Sequence, residues 1–180
     1  QQFQKTGHHI VQIYSKTKAN ADALAFALHC AAIDQLSELD LHADLYLISV
    51  TDQAIVSLVE ALPKDIKGVV IHCSGATDLS ALAGFKNAGV IYPPQSLSKN
   101  KAVDFSTVPL CVEGNTDENS AELLQLAQTF APRSIYCNSQ QRLAIHLASV
   151  MVNNFTNILY QMAYELLAEN DLSFDLIKPI

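Results

Sequence analysis

The sequence predicts a doubly wound α/β domain with a mostly parallel sheet, followed by the start of an all-α domain. Three observations carry that expectation. Short β-rich runs alternate with helical stretches over the first three-quarters of the chain. Runs such as LYLISV and GVVIHC are apolar without a break, as strands buried on both faces of a parallel sheet are. From 139 to 170 there is neither Gly nor Pro, which reads as one long helix. The expected division is 1–138 for the α/β domain and 139–180 for the beginning of the helical one.

The elements follow in order. HIVQIY at 9–14 reads as a strand and NADALAFALHC at 20–30 as a helix. ADLYLISV at 43–50 is a strand with a helix after it at 52–62. KGVVIHC at 67–73 is the next strand, followed by a shorter helical stretch at 79–83. Strands are expected at 90–92, at 108–112 (VPLCV) and at 134–137, with a helix at 118–130 whose cap chemistry comes from 115–117. The helix from 139, with Ser139 as N-cap, would be on the order of 45 Å long, too long for a crossover in a small sheet. A further helix is expected to begin at 172.

Composition narrows the function. The chain has 180 residues, 49% of them hydrophobic, with 11 Lys+Arg against 18 Asp+Glu. A net charge of -7 argues against a nucleic-acid partner, which needs a basic face. A nucleotide cofactor needs only backbone amides and one or two local cations. No apolar run approaches the ~18 residues of a membrane span, and the polar stretch at 1–7 is unlike a signal peptide. Cys30, Cys73, Cys111 and Cys137 are far apart and form no C-x-x-C pair, so neither a metal site nor a redox dithiol is expected. The expected compartment is the cytoplasm.

Ligands of an open parallel sheet bind beyond the C-terminal strand ends. After HIVQIY come Ser15, Lys16 and Thr17, two hydroxyls and a cation with no acid until Asp22. That set suits a ribose 2′-phosphate, hence NADP, rather than the free hydroxyl of NAD; a plain helix cap is the alternative. After LYLISV, Thr51 and Asp52 open a helix at a turn that would run over a cofactor's ribose, or Asp52 serves only the helix dipole. After GVVI, His72 reads as a core histidine, and Ser74 is placed to orient a nicotinamide or substrate. After 90–92, Pro93 and Pro94 stiffen a loop bearing Gln95, Ser96 and Ser98. It is a substrate wall, or a structural loop with one cis-proline.

On the long helix, His146, Val150, Asn153, Asn154, Asn157 and Tyr160 follow spacings that put them on roughly one face. A row of His and Asn facing a cleft can polarise a carbonyl or imine and move its proton. The same amides could instead form a hydrogen-bond ladder at a dimer interface.

With these residues in view, the chain resembles a family of Rossmann-like NADP-dependent oxidoreductases with a helical C-terminal domain. That family is related to pyrroline-5-carboxylate reductases and β-hydroxyacid dehydrogenases. The matching stretches are VQIYSKT (11–17), ADLYLISVTDQAI (43–55), VIHCSGATDL (70–79), IYPPQSLSK (91–99) and HLASVMVNNFTNILY (146–160). The resemblance implies NADP contacts at Ser15, Lys16, Thr17, Val50, Thr51, Asp52 and Ser74. It implies a substrate pocket between Gln95, Ser96 and the helix face from His146 to Asn157; on that face the expected catalytic residues are His146, Asn153 and Asn157, with Asn154 expected to bind substrate. A homodimer through the helical domain is implied as well. In related dehydrogenases a Lys and an Asn one turn apart do the acid–base work. Here His146 stands where the Lys would, Val150 follows one turn later, and the Asn comes at 153. The family opens on a strand and a G-x-G-x-x-G turn. No such motif occurs in these 180 residues, and 1–7 reads as the end of the helix that would follow it.

The function expected first is therefore reduction of a small carbonyl or imine with NADP. A non-catalytic nucleotide sensor on the same fold and a dimerising scaffold are the alternatives.

Overall fold

The computed structural model describes residues 2–97 and 103–178. A single turn, α1 (Gln2–Lys5), precedes β1 (Gln12–Tyr14) and α2 (Lys18–Leu28). β2 (Ala31–Ile33) runs parallel to β1 and forms a two-stranded sheet with it. Then come β3 (Leu45–Ile48), α3 (Asp52–Ala61), β4 (Val69–His72) and β5 (Ala88–Tyr92). β6 (Cys111–Gly114), α4 (Asp117–Gln128) and β7 (Ile135–Tyr136) complete a second sheet of order β3-β4-β5-β6-β7. The C-terminal helix is α5 (Ser139–Val150), a π-helical segment at Met151–Phe155, and α6 (Thr156–Ala168).

This is a Rossmann-like α/β architecture with a mostly parallel sheet and a helical C-terminal part. β3, β4 and β5 are parallel, and so are β6 and β7. Only β5 and β6 run antiparallel, with Tyr92 opposite Cys111 and Val90 opposite Glu113. Alternation along β4 feeds both faces: Val70 packs with Ile55, Val59 and Leu82, while Ile71 packs with Ile91, Val112 and Leu123. α4 lies so close to β5 that a Cβ on Gly89 would come 2.2 Å from Leu123 Cδ1.

Several boundaries differ from expectation for identifiable reasons. β2 is short and Ala-rich, so it carries little β signal. The strand expected at 108–112 pairs only from Cys111; Val108 and Leu110 are buried as core contacts before the ladder begins. The N-cap of α5 is Asn138, in a capping box with Gln141, because the Ser139 hydroxyl is engaged elsewhere. A 3-10 turn at Phe174–Leu176 stands where a helix was expected to begin at 172. No cis peptide bond occurs among the described residues. Ser98 and Lys99, as well as 179–180, lie outside them. Among the described residues no helix is long and apolar enough to cross a membrane.

The long helix does run through, but not as a uniform α-helix. Eleven residues at 100° each would bring Asn157 within about 20° of His146. The extra residue held in the π segment takes up roughly 100°, leaving Asn157 about 80° away. The face expected to carry both is thereby divided.

Candidate active site

The site lies at the end of β5, where Tyr92 delivers the chain into the Pro93–Pro94 loop. A cleft of about 230 Å³ opens there, lined by Tyr92, Pro94, Gln95, Ser96, His146, Ser149, Val150, Asn153 and Asn154. His146 is half-buried, and its Nδ1 lies 3.1 Å from the Tyr92 hydroxyl. Asn153, in the π segment, donates through Nδ2 to Ser96 Oγ at 3.0 Å and to Asn154 Oδ1 at 3.0 Å. The wide turn lets both neighbouring asparagines reach the same cleft. Asn157 is exposed and is not part of its lining.

What aims α5 at the cleft is a buried ionic network one turn earlier. Arg142, 1% exposed, pairs through Nη1 with Glu113 Oε2. Its Nη2 donates to the Thr77 carbonyl at 2.8 Å and to Ser139 Oγ at 3.0 Å. Ser139 donates to Glu113 through both its backbone N–H, 2.9 Å, and its hydroxyl, 2.8 Å. Composition and spacing gave no hint of this group, since its members lie up to 65 residues apart in sequence. Sequence reasoning placed Tyr92 only at the end of the 90–92 strand and missed its pairing with His146, 54 residues away.

The loop after β4 closes the floor. Ser74 Oγ accepts from the backbone N–H groups of Ala76 at 3.2 Å and Thr77 at 2.9 Å. His72 is fully buried, and its Nδ1 accepts from the Ser74 N–H at 3.2 Å. Burial, and then the Arg142 charge, push its pKa down to about 4. Burial pushes the Cys73 thiol up to about 12. Burial also raises the Tyr92 phenol, with the charges of Cys111 and Asp52 adding to it.

The residues assigned to a nucleotide sit at strand ends too. Ser15, Lys16 and Thr17 follow β1; Val50, Thr51 and Asp52 follow β3. Thr17 and Thr51 are the N-caps of α2 and α3, yet neither hydroxyl makes a capping bond. Ser15 Oγ accepts from the Thr17 N–H at 3.3 Å, and the Lys16 side chain is exposed. Val50–Asp52, Ser74 and Tyr92 lie along one edge, because β3, β4 and β5 are parallel neighbours. Among the described residues no group of three His, Cys, Asp or Glu could hold a metal.

A family model for a Rossmann-like domain matches residues 1–95, and one described as a domain of unknown function (DUF2520) matches residues 108–180. The chain is 33% identical to a candidate NADP oxidoreductase from Bacteroides fragilis, with a TM-score of 0.82 over 99% of this chain and 70% of that one. A protein from Thermotoga maritima is 21% identical, with a TM-score of 0.75 over 98% and 68% of the respective chains. A 1-pyrroline-5-carboxylate reductase from Streptococcus pyogenes is 14% identical, with a TM-score of 0.67 over 94% and 64%. These last two likenesses concern the fold alone. No protein of curated function matches the sequence.

Proposed function

Because this chain belongs to the Rossmann-like family whose C-terminal part is the DUF2520 domain, we propose that it serves an NADP-dependent reductase of a small carbonyl or imine substrate. The observation that carries this reading is His146, held by Tyr92 in a cleft beyond the parallel strand ends that Asn153 and Ser96 also line. A reductase needs a hydrogen-bond donor at the substrate's oxygen or nitrogen, beside the strand ends where the cofactor lies. The similarity to the Bacteroides fragilis protein supports the cofactor class.

The residues present fit the 2′-phosphate end of NADP. Lys16 offers an exposed cation, and Ser15 and Thr17 offer hydroxyls beside the N-terminus of α2. Thr51 and Asp52 would serve the adjoining ribose, and Ser74 would orient the nicotinamide or the substrate. The pyrophosphate has no glycine-rich cradle within these 180 residues. When bound, the nicotinamide supplies hydride. The chain's own residues do the rest: His146 polarises the acceptor atom, Asn153 and Asn154 orient the substrate, and Gln95 and Ser96 wall it in.

A homodimer through α6 belongs to the same proposal. Ile158, Leu159, Tyr160, Met162, Tyr164 and Leu166 are each more than half exposed, and a helix apolar around most of its girth is one that gets covered.

Separate titrations of NADPH and NADH, followed by fluorescence or heat, test the reading. Tighter binding of NADPH is expected. Absence of binding by both nucleotides would sink it.

A further inference from the structure

We propose that Tyr92 is a positioning residue: its hydroxyl donates to Nδ1 of His146, which places the imidazole proton on Nε2 and presents that N–H to the cleft. The inference rests on the reductase reading only for what the donor serves, and it stands on the geometry of the two rings alone.

Three contacts define the imidazole's setting. Tyr92 Oη lies 3.1 Å from Nδ1. The rings meet edge to face, with centroids 5.9 Å apart and planes at 73°. Gly75 covers the same edge: a Cβ there would come 2.8 Å from His146 Cγ, 2.8 Å from Nδ1 and 2.7 Å from Tyr92 Cζ. The Cγ–Nδ1 side is therefore enclosed by Tyr92 and Gly75. His146 is one of the residues that line the cleft, and the free Nε2 side is assigned to that cleft.

The tautomer follows from donor accounting. A neutral imidazole has one N–H and one lone pair, and the bond made at one nitrogen decides what the other offers. Among the described residues the Tyr92 hydroxyl has no other hydrogen-bond partner, so donating to Nδ1 is what gives its proton an acceptor. A donor at Nδ1 requires the lone pair there, and the ring's own hydrogen then sits on Nε2. An Nε2–H aimed into the cleft suits a substrate whose reacting atom carries a lone pair, the oxygen of a carbonyl or the nitrogen of an imine. The opposite tautomer would offer a lone pair and suit removal of a proton from an alcohol or amine. The dyad thus supplies a hydrogen-bond donor to the reacting atom.

Imidazole nitrogens of the 15N-labelled protein report this directly by long-range 1H–15N correlation, without nucleotide and above the histidine titration range. His146 is assigned by its loss in His146→Ala. The expected pattern is a single Nε2–H tautomer with the Nδ1 resonance displaced by an accepted hydrogen bond. In Tyr92→Phe that displacement should vanish and the pattern move toward a mixture, while the His72 signals stay put and show the fold intact. An Nδ1–H tautomer in the unaltered protein, or identical His146 spectra with and without the Tyr92 hydroxyl, would overturn the proposal. Failure of NADPH to bind would leave this result untouched, so the two readings fail separately.

Discussion

Arg142 and Glu113 form an ion pair across the seam between β6 and α5, and that pair sets the level at which His146 meets the sheet. Glu113 is opposite Val90, and Tyr92 lies two residues further along β5. Two strand residues span about 7 Å, and the four helix residues from Arg142 to His146 rise about 6 Å. Anchoring Arg142 at Glu113 therefore brings His146 level with Tyr92.

Arg142→Met should destabilise the protein by roughly 3–5 kcal/mol, because it strands the Glu113 carboxylate beneath the helix. Urea unfolding measures it. Adding Glu113→Gln should recover part of the loss. A single variant within about 0.5 kcal/mol of the parent, the range of ordinary surface changes, would mean the pair is solvated.

His72 makes stability depend on pH. Its folded pKa is about 4 against 6.5 for the free side chain. Between those values the unfolded chain binds a proton that the folded chain does not, so acid favours unfolding. Its contribution is complete above about pH 6.5 and fades as pH falls toward 4, by up to about 3 kcal/mol. Urea midpoints at pH 7 and pH 5 should converge in His72→Leu relative to the parent. An unchanged difference would assign the acid sensitivity elsewhere.

Gly75→Ala should cost roughly 1–3 kcal/mol by overpacking. The new methyl enters a space already held by Tyr92 and His146. The His146 nitrogen spectrum should change with it. A variant of parental stability and spectrum would show that the loop gives way freely.

Lys16→Glu should weaken NADPH markedly and NADH little, since only the former carries the 2′-phosphate. Equal loss of both in parallel titrations would remove Lys16 from the proposed site.

Met162→Glu together with Leu159→Glu should drive a dimer toward monomer, with sedimentation as the readout. Both side chains are more than half exposed on α6. An unaltered mass would place the interface elsewhere.

The α/β order was legible because apolar runs and capped helices are local signals. HIVQIY, LYLISV and GVVIHC all contain strands. The antiparallel β5–β6 pair was not legible, since strand direction depends on a connection that the strand residues do not encode. Gln95, Ser96, His146, Asn153 and Asn154 do meet in one cleft. Asn157 departs from it because regular 3.6-residue spacing cannot reveal a π turn. Arg142 carries no local signal of burial in the sequence. Its burial comes from contacts with Thr77 and Glu113, distant positions that no local pattern links.

The wide turn at Met151–Phe155 also bears on how this helix can change length. A π segment holds one residue more than the regular helix needs. Deleting a residue within 151–155 would relax it to α-helix while α6 kept its bearing on α5. The same deletion inside α5 or α6 would swing the downstream face by about 100°. The segment is thus a splice point where the helix can gain or lose a residue without turning the apolar flank of α6 away from whatever it covers.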